Sequence, residues 1–193
     1  MKHPSTRALY EYWNDRRGYR AAPERSDIEP GAIRRVLADT FILTFDAQAG
    51  HPFRVAGTRV CAAFGRELKS HSFVGMWTVD SQRLVRDLLT VVAHESVGAV
   101  AGARGRTVEG ELEFELLVLP LRHRARTDAR VLGALAPVEL PAWFGAKPLD
   151  RLSLGTLRYL GPEPVSRPPL RLVPTRPAGR MRNGFVVYDG GRA

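Results

Sequence analysis

The sequence predicts an α+β fold, with helices packed on one face of an antiparallel sheet. Three observations carry that expectation. Strand-like runs come in two groups, at residues 40–45 and 53–56 and again across 99–140. Between the groups lies one long amphipathic stretch, 81–95, in which Leu84, Leu88, Val91 and Val92 recur at helical spacing and Val85 and Leu89 widen the stripe. Residues 111–121 then alternate as a half-buried strand does, with Leu112, Phe114, Leu116 and Val118 on one side and Glu111, Glu113 and Glu115 on the other. Early strands, short helices, a long helix and late strands in that order form a sheet with its helices segregated.

Ser5 is placed to cap a first helix running through Leu9, Tyr12, Trp13 and Arg16 to about Tyr19, ended by Gly18 and Pro23. Ser26 and Asp27 precede Pro30, which fits the first turn of a short helix holding Ile33, Val36 and Leu37. The run 40–45 reads as a central strand, and the turn residues of 46–52 lead into a second strand at 53–56. Thr58 caps a short helix through Val60, Cys61 and Phe64, which Gly65 stops. An irregular stretch with Leu68, Phe73, Met76 and Trp77 follows, and Asp80 or Ser81 caps the long helix. Strands are expected at 99–106, 111–121 and 131–140. Residues 152–160 read as a last strand or a docking segment.

The chain divides into an N-terminal helix and linker (1–24), a core (25–141) and a Pro/Arg-rich extension (142–193), expected to be partly extended or disordered. Six of the fourteen prolines fall within 161–177, a density that cannot join a ladder. The brief apolar patch 185–188 reads as an annealed edge strand or a partner contact. Net charge is +9, and residues 147–193 hold 9 basic and 3 acidic side chains against 20 and 17 in the rest. The excess is therefore in the tail. One cysteine, Cys61, excludes an intrachain disulfide and a thiolate-rich zinc site, and its apolar neighbours predict a small buried hydrophobe. No apolar run approaches membrane-spanning length and no signal-peptide pattern opens the chain, so a cytoplasmic protein without membrane contact is expected.

The segments ALYEYW (8–13), RSDIEPGAIRRVLADTFIL (25–43), FRVAGTRVCAAFGREL (53–68), MW (76–77), ELEFELLVLPL (111–121) and RVLGALAP (130–137) together resemble a family of small, stand-alone PAS-like regulators from alphaproteobacteria. The resemblance covers about residues 8–137. It implies a five-stranded antiparallel sheet in the order 2-1-5-4-3, crossed on its inner face by the long helix. It also implies a sensory or protein-interaction module in bacterial signalling, which binds small ligands between helix and sheet and contacts a second copy or a signalling partner.

Phe41, Leu43, Val55, Trp77, Leu84, Leu88, Leu116 and Leu135 are the candidate lining of such a pocket, against the alternative of a filled core. Leu9, Tyr12 and Trp13 are the candidate homodimer or partner contact, the alternative being that Tyr12 and Trp13 fold back onto their own sheet. His94 and His71 lie where the resemblance places an axial haem ligand in haem-binding members. A single histidine at a helix C-terminus more often complements the dipole, so no haem is expected and no cofactor is required. Glu111 and Glu113 are expected to face Arg106 and Arg104 across a hairpin as structural partners. No metal-ligand spacing, phosphate-binding loop or nucleophile elbow is present, so the expectation is a protein without catalytic residues. A second function remains open: phosphate contacts to nucleic acid through Arg167, Arg171, Arg176, Arg180 and Arg182 of the tail.

Overall fold

The computed structural model describes residues 1–123, 126–161, 180–182 and 185–187. Six strands make one antiparallel sheet: β1 (Thr40–Thr44), β2 (Phe53–Ala56), β3 (Gly98–Thr107), β4 (Gly110–His123), β5 (Arg126–Pro137) and β6 (Leu152–Leu160). Their order is β2-β1-β5-β4-β3-β6. The first five stand as expected, and the five-strand count falls short by one. The extra strand is β6, which runs antiparallel to β3 from Gly98↔Leu160 to Gly105↔Leu152. A separate hairpin pairs β7 (Arg180–Arg182) with β8 (Phe185–Val187), so the patch at 185–187 pairs with β7 and not with the main sheet. Arg167, Arg171 and Arg176 lie outside the described residues.

Both faces of the sheet are covered. On the inner face, α3 (Val79–Glu95) buries Val85, Leu88, Leu89 and Val92 against Phe41, Leu43, Leu116, Val118 and Leu135. Each such side chain contributes about 1.5–3 kcal/mol by leaving water. The short α2 (Thr58–Ala63) adds Val60 and Ala63 to this layer. On the outer face, α1 (Pro4–Arg17) lays Leu9 and Trp13 onto Ile42, Leu117, Leu119, Leu121 and Leu132. The strand β4 therefore changes character along its length. Its outward residues are carboxylates at 111 and 113, then Glu115 beside the start of α1, then leucines beneath the helix.

Local chemistry explains where the elements depart from expectation. The cap of α1 is His3, whose Nδ1 accepts the Ser5 N–H at 3.1 Å; Pro4 occupies the first turn, where a missing N–H costs nothing. Ser5 turns its hydroxyl to Asp39 instead, at 2.7 Å. Around Pro30 there is no α-helix. Successive bonds three residues apart (Ile33 N–H to Pro30 O, Val36 N–H to Ile33 O, Asp39 N–H to Val36 O) make a chain of tight turns that delivers Asp39 to the start of β1. The hairpin between β3 and β4 is tighter than a four-residue loop, with Thr107 paired to Gly110. Pro120 fits inside β4 because β3 pairs no farther than Val118; its carbonyl accepts the Trp13 indole N–H at 2.8 Å.

Candidate functional site

The inner layer is organised around a chain of aromatic rings that β1, β2 and the turn before α3 bring together. Phe41 meets Phe53 at 5.7 Å and Phe73 at 5.3 Å between centroids, and Phe73 meets Trp77 at 5.7 Å. Of the eight residues expected to line this space, Phe41, Leu43, Trp77, Leu88, Leu116 and Leu135 are buried in it together. Leu84 is half-buried at its margin. Val55 is a correction: it is 50% exposed, paired with Ile42 on the outer face. A register shift between Ile42 and Leu43 puts Phe53 opposite Leu43, and Phe53 takes the inward place.

Trp77 is the chemically distinctive member. Its side chain is fully buried, yet its indole N–H has no acceptor among the described residues. The contrast with Trp13, whose N–H is satisfied, is direct. The backbone around Trp77 is held firmly. Its carbonyl accepts from Gln82 and Arg151, Thr78 N–H donates to Leu152 O at 2.8 Å, and the buried Ser81 Oγ accepts Leu154 N–H at 3.0 Å. The start of α3 is thus clasped to β6.

His51 is a second buried polar group that the sequence reading did not single out. Its Nδ1 has no partner among the described residues, and its ring packs on Phe45 at 4.7 Å. Burial pushes its pKa below the ordinary histidine value; Asp46 opposes this and Arg86 adds to it. A histidine whose folded pKa is depressed binds a proton more readily unfolded, so stability is complete above about pH 6.5 and falls as pH drops through that value. The melting temperature is expected to fall between pH 7.5 and pH 5.5. The substitution His51→Asn, which suits the left-handed backbone at φ 55°, is expected to remove that component. An unchanged pH profile in the variant would refute the assignment.

The carboxylates of β4 are structural. Glu113 faces Arg104 and Glu111 faces Arg106, with ion pairs of 3.3 and 3.6 Å. Glu115 accepts the backbone N–H groups of Lys2 and His3, at 2.7 and 3.0 Å, and the Thr6 hydroxyl. Burial alone would raise its carboxyl; those hydrogen bonds and the nearby N-terminal ammonium outweigh it and hold the pKa below the usual value. Glu115 is therefore an anionic anchor for the positive end of α1.

The residues expected to meet a second copy are largely spent within the chain. Leu9 and Trp13 are buried against the sheet, and the Tyr12 hydroxyl donates to Asp27 O and accepts from Glu29 N–H. The alternative left open by the sequence, folding back onto the sheet, is the arrangement found. Cys61 is half-buried and not buried, with its Sγ 3.5 Å from Glu67; burial pushes the thiol pKa up. His94 is exposed near the end of α3, and His71 is exposed before it. Among the described residues no cluster of histidine, cysteine or carboxylate groups could hold a metal ion, and no helix is long and apolar enough to cross a membrane.

A family model described as a PAS domain matches residues 1–136. No curated protein and no solved structure matches the chain.

Proposed function

The chain belongs to the PAS domain family, whose members are sensory and interaction modules, and from that premise we propose that it binds a small ligand in its inner layer, beside Trp77. One observation carries the reading: a fully buried indole N–H without an acceptor among the described residues. Leaving such a donor unsatisfied costs about 1–3 kcal/mol, and a carbonyl, carboxylate or hydroxyl on a ligand would recover it. The surrounding phenylalanine, leucine and valine side chains suit a mainly apolar molecule carrying one acceptor. Occupancy would reach the surface through the clasp joining Trp77, Thr78 and Ser81 to β6, where a signalling partner can read it. Glu111, Glu113 and Glu115 are committed to ion pairs and to α1, which supports a binding module over an acid–base enzyme.

Native mass spectrometry of the freshly purified full chain tests this directly. The wild type is expected to carry a retained small molecule, or to gain thermal stability from members of a small-molecule library. The Trp77→Phe variant is expected to lose the ligand while matching or exceeding the ligand-free wild type in stability, because the orphaned donor is gone. Identical retention by both proteins would sink the assignment to Trp77. Absence of any ligand response in a folded wild type would sink the binding reading itself.

A further inference from the structure

The connection between β5 and β6 builds a cleft of about 460 Å3, lined chiefly by Glu111, Glu113, Val138, Glu139, Leu140 and Trp143. Val138 N–H bonds Glu113 O at 2.8 Å, fixing this connection beside β4. Arg104 and Arg106 hold Glu111 and Glu113 from β3 but are not part of the lining. Glu139 makes no ion pair among the described residues. Val138 and Leu140 are 54% and 56% exposed, unusual for large apolar side chains placed side by side. The cleft thus offers the Glu139 carboxylate, an aromatic ring and uncovered aliphatic groups together.

We propose that this cleft is the docking site for the chain's own segment 168–177, PPLRLVPTRP. Its chemistry is the complement of the cleft: prolines and leucines for Trp143, Val138 and Leu140, and one arginine, Arg171 or Arg176, for Glu139. Aromatic-lined grooves take proline-rich segments because these are ordered at low entropic cost. The reach is also suitable. The arm leaves β6 at Leu160, the end paired with Gly98, whereas the cleft lies at the opposite end, where Glu113 faces Arg104. Returning along nine strand residues covers about 25–30 Å at roughly 3.3 Å each. A fully extended chain reaches that distance in about ten residues, so a segment beginning near residue 170 is within reach.

Limited trypsin digestion of the full chain reads the docking at one bond, Arg171–Leu172, since Arg167 and Arg176 precede proline. In the wild type at low salt this bond is expected to be cut about tenfold more slowly than in a free peptide of residues 165–178. The variants Glu139→Lys and Leu140→Ser, both at exposed positions, are expected to restore the peptide's rate, and 0.5 M salt to move it the same way on the order of several-fold. Wild-type cleavage at the peptide's rate would overturn the proposal, as would protection that neither variant relieves. Protection that rises with protein concentration would assign the cleft to the arm of a second copy and overturn the intramolecular docking.

Discussion

Trp13→Ala is expected to destabilise the protein by about 3–5 kcal/mol, the usual cost of emptying a large aromatic site in a core. Three losses combine. The ring leaves a void over Leu117, Leu119, Leu121 and Leu132. The Pro120 carbonyl loses the indole donor it meets at 2.8 Å, at a point where β4 has no strand beside it on the β3 side. The stacking of Tyr10 at 6.0 Å and the Arg17 guanidinium 5.3 Å above the ring disappear as well. Against a total stability of about 5–15 kcal/mol for a domain, the change should be plain in urea denaturation. Trp13→Phe keeps most of the apolar fill and should lose about 1–3 kcal/mol, because the buried Pro120 carbonyl is left without its donor. The mass of the particle by light scattering should not change in Trp13→Phe. A fall from dimer to monomer at undiminished stability would show that Trp13 serves a partner and not its own sheet.

Arg59→Met is expected to cost a similar amount, about 3–5 kcal/mol, for an electrostatic reason. Asp39 is fully buried, and its carboxylate is held by the Arg59 guanidinium at 2.6 Å and the Ser5 hydroxyl at 2.7 Å. Arg59 retains about a third of its exposure. Removing the arginine leaves a charge in the interior with one neutral donor, whereas removing the aspartate leaves a cation that water can reach. Asp39→Asn should therefore be the milder change, and the double variant should be more stable than Arg59→Met alone. Thermal denaturation of the three proteins as a double-mutant cycle gives the comparison. Strictly additive losses would mean that the pair does not act as one unit. The pair also joins three elements: α1 through Ser5, the turn before β1, and α2.

The inner layer was largely legible because its signals are periodic. The stripe at 85, 88, 89 and 92 and the alternation from Leu112 to Val118 each state which side faces the core, and the opposing charges at 104, 106, 111 and 113 state a register. The outer layer left a signal too. Residues 116–121 are apolar without alternation, the mark of a strand covered on both faces. Read with the aromatic stripe of α1, that run places the helix on the sheet. Val55 was not legible, since one register shift reverses the sense of a four-residue strand. Nor was the role of Trp77 in full. The sequence places a tryptophan in the core, but whether its N–H finds an acceptor depends on neighbours distant along the chain. His3 displaced Ser5 as the cap because Asp39, far along the chain, competes for the serine hydroxyl.

The sixth strand bears on how the protein can be divided. The family match stops at residue 136, while β6 begins at Leu152. A fragment trimmed to the matched region would bare the outer row of amides and carbonyls along β3, a ready template for strand-to-strand self-association. It would also uncouple Thr78 and Ser81 from their partners at Leu152 and Leu154. The shortest piece that keeps β3 paired and α3 clasped extends to Leu160, so the recognisable homology is smaller than the physical unit.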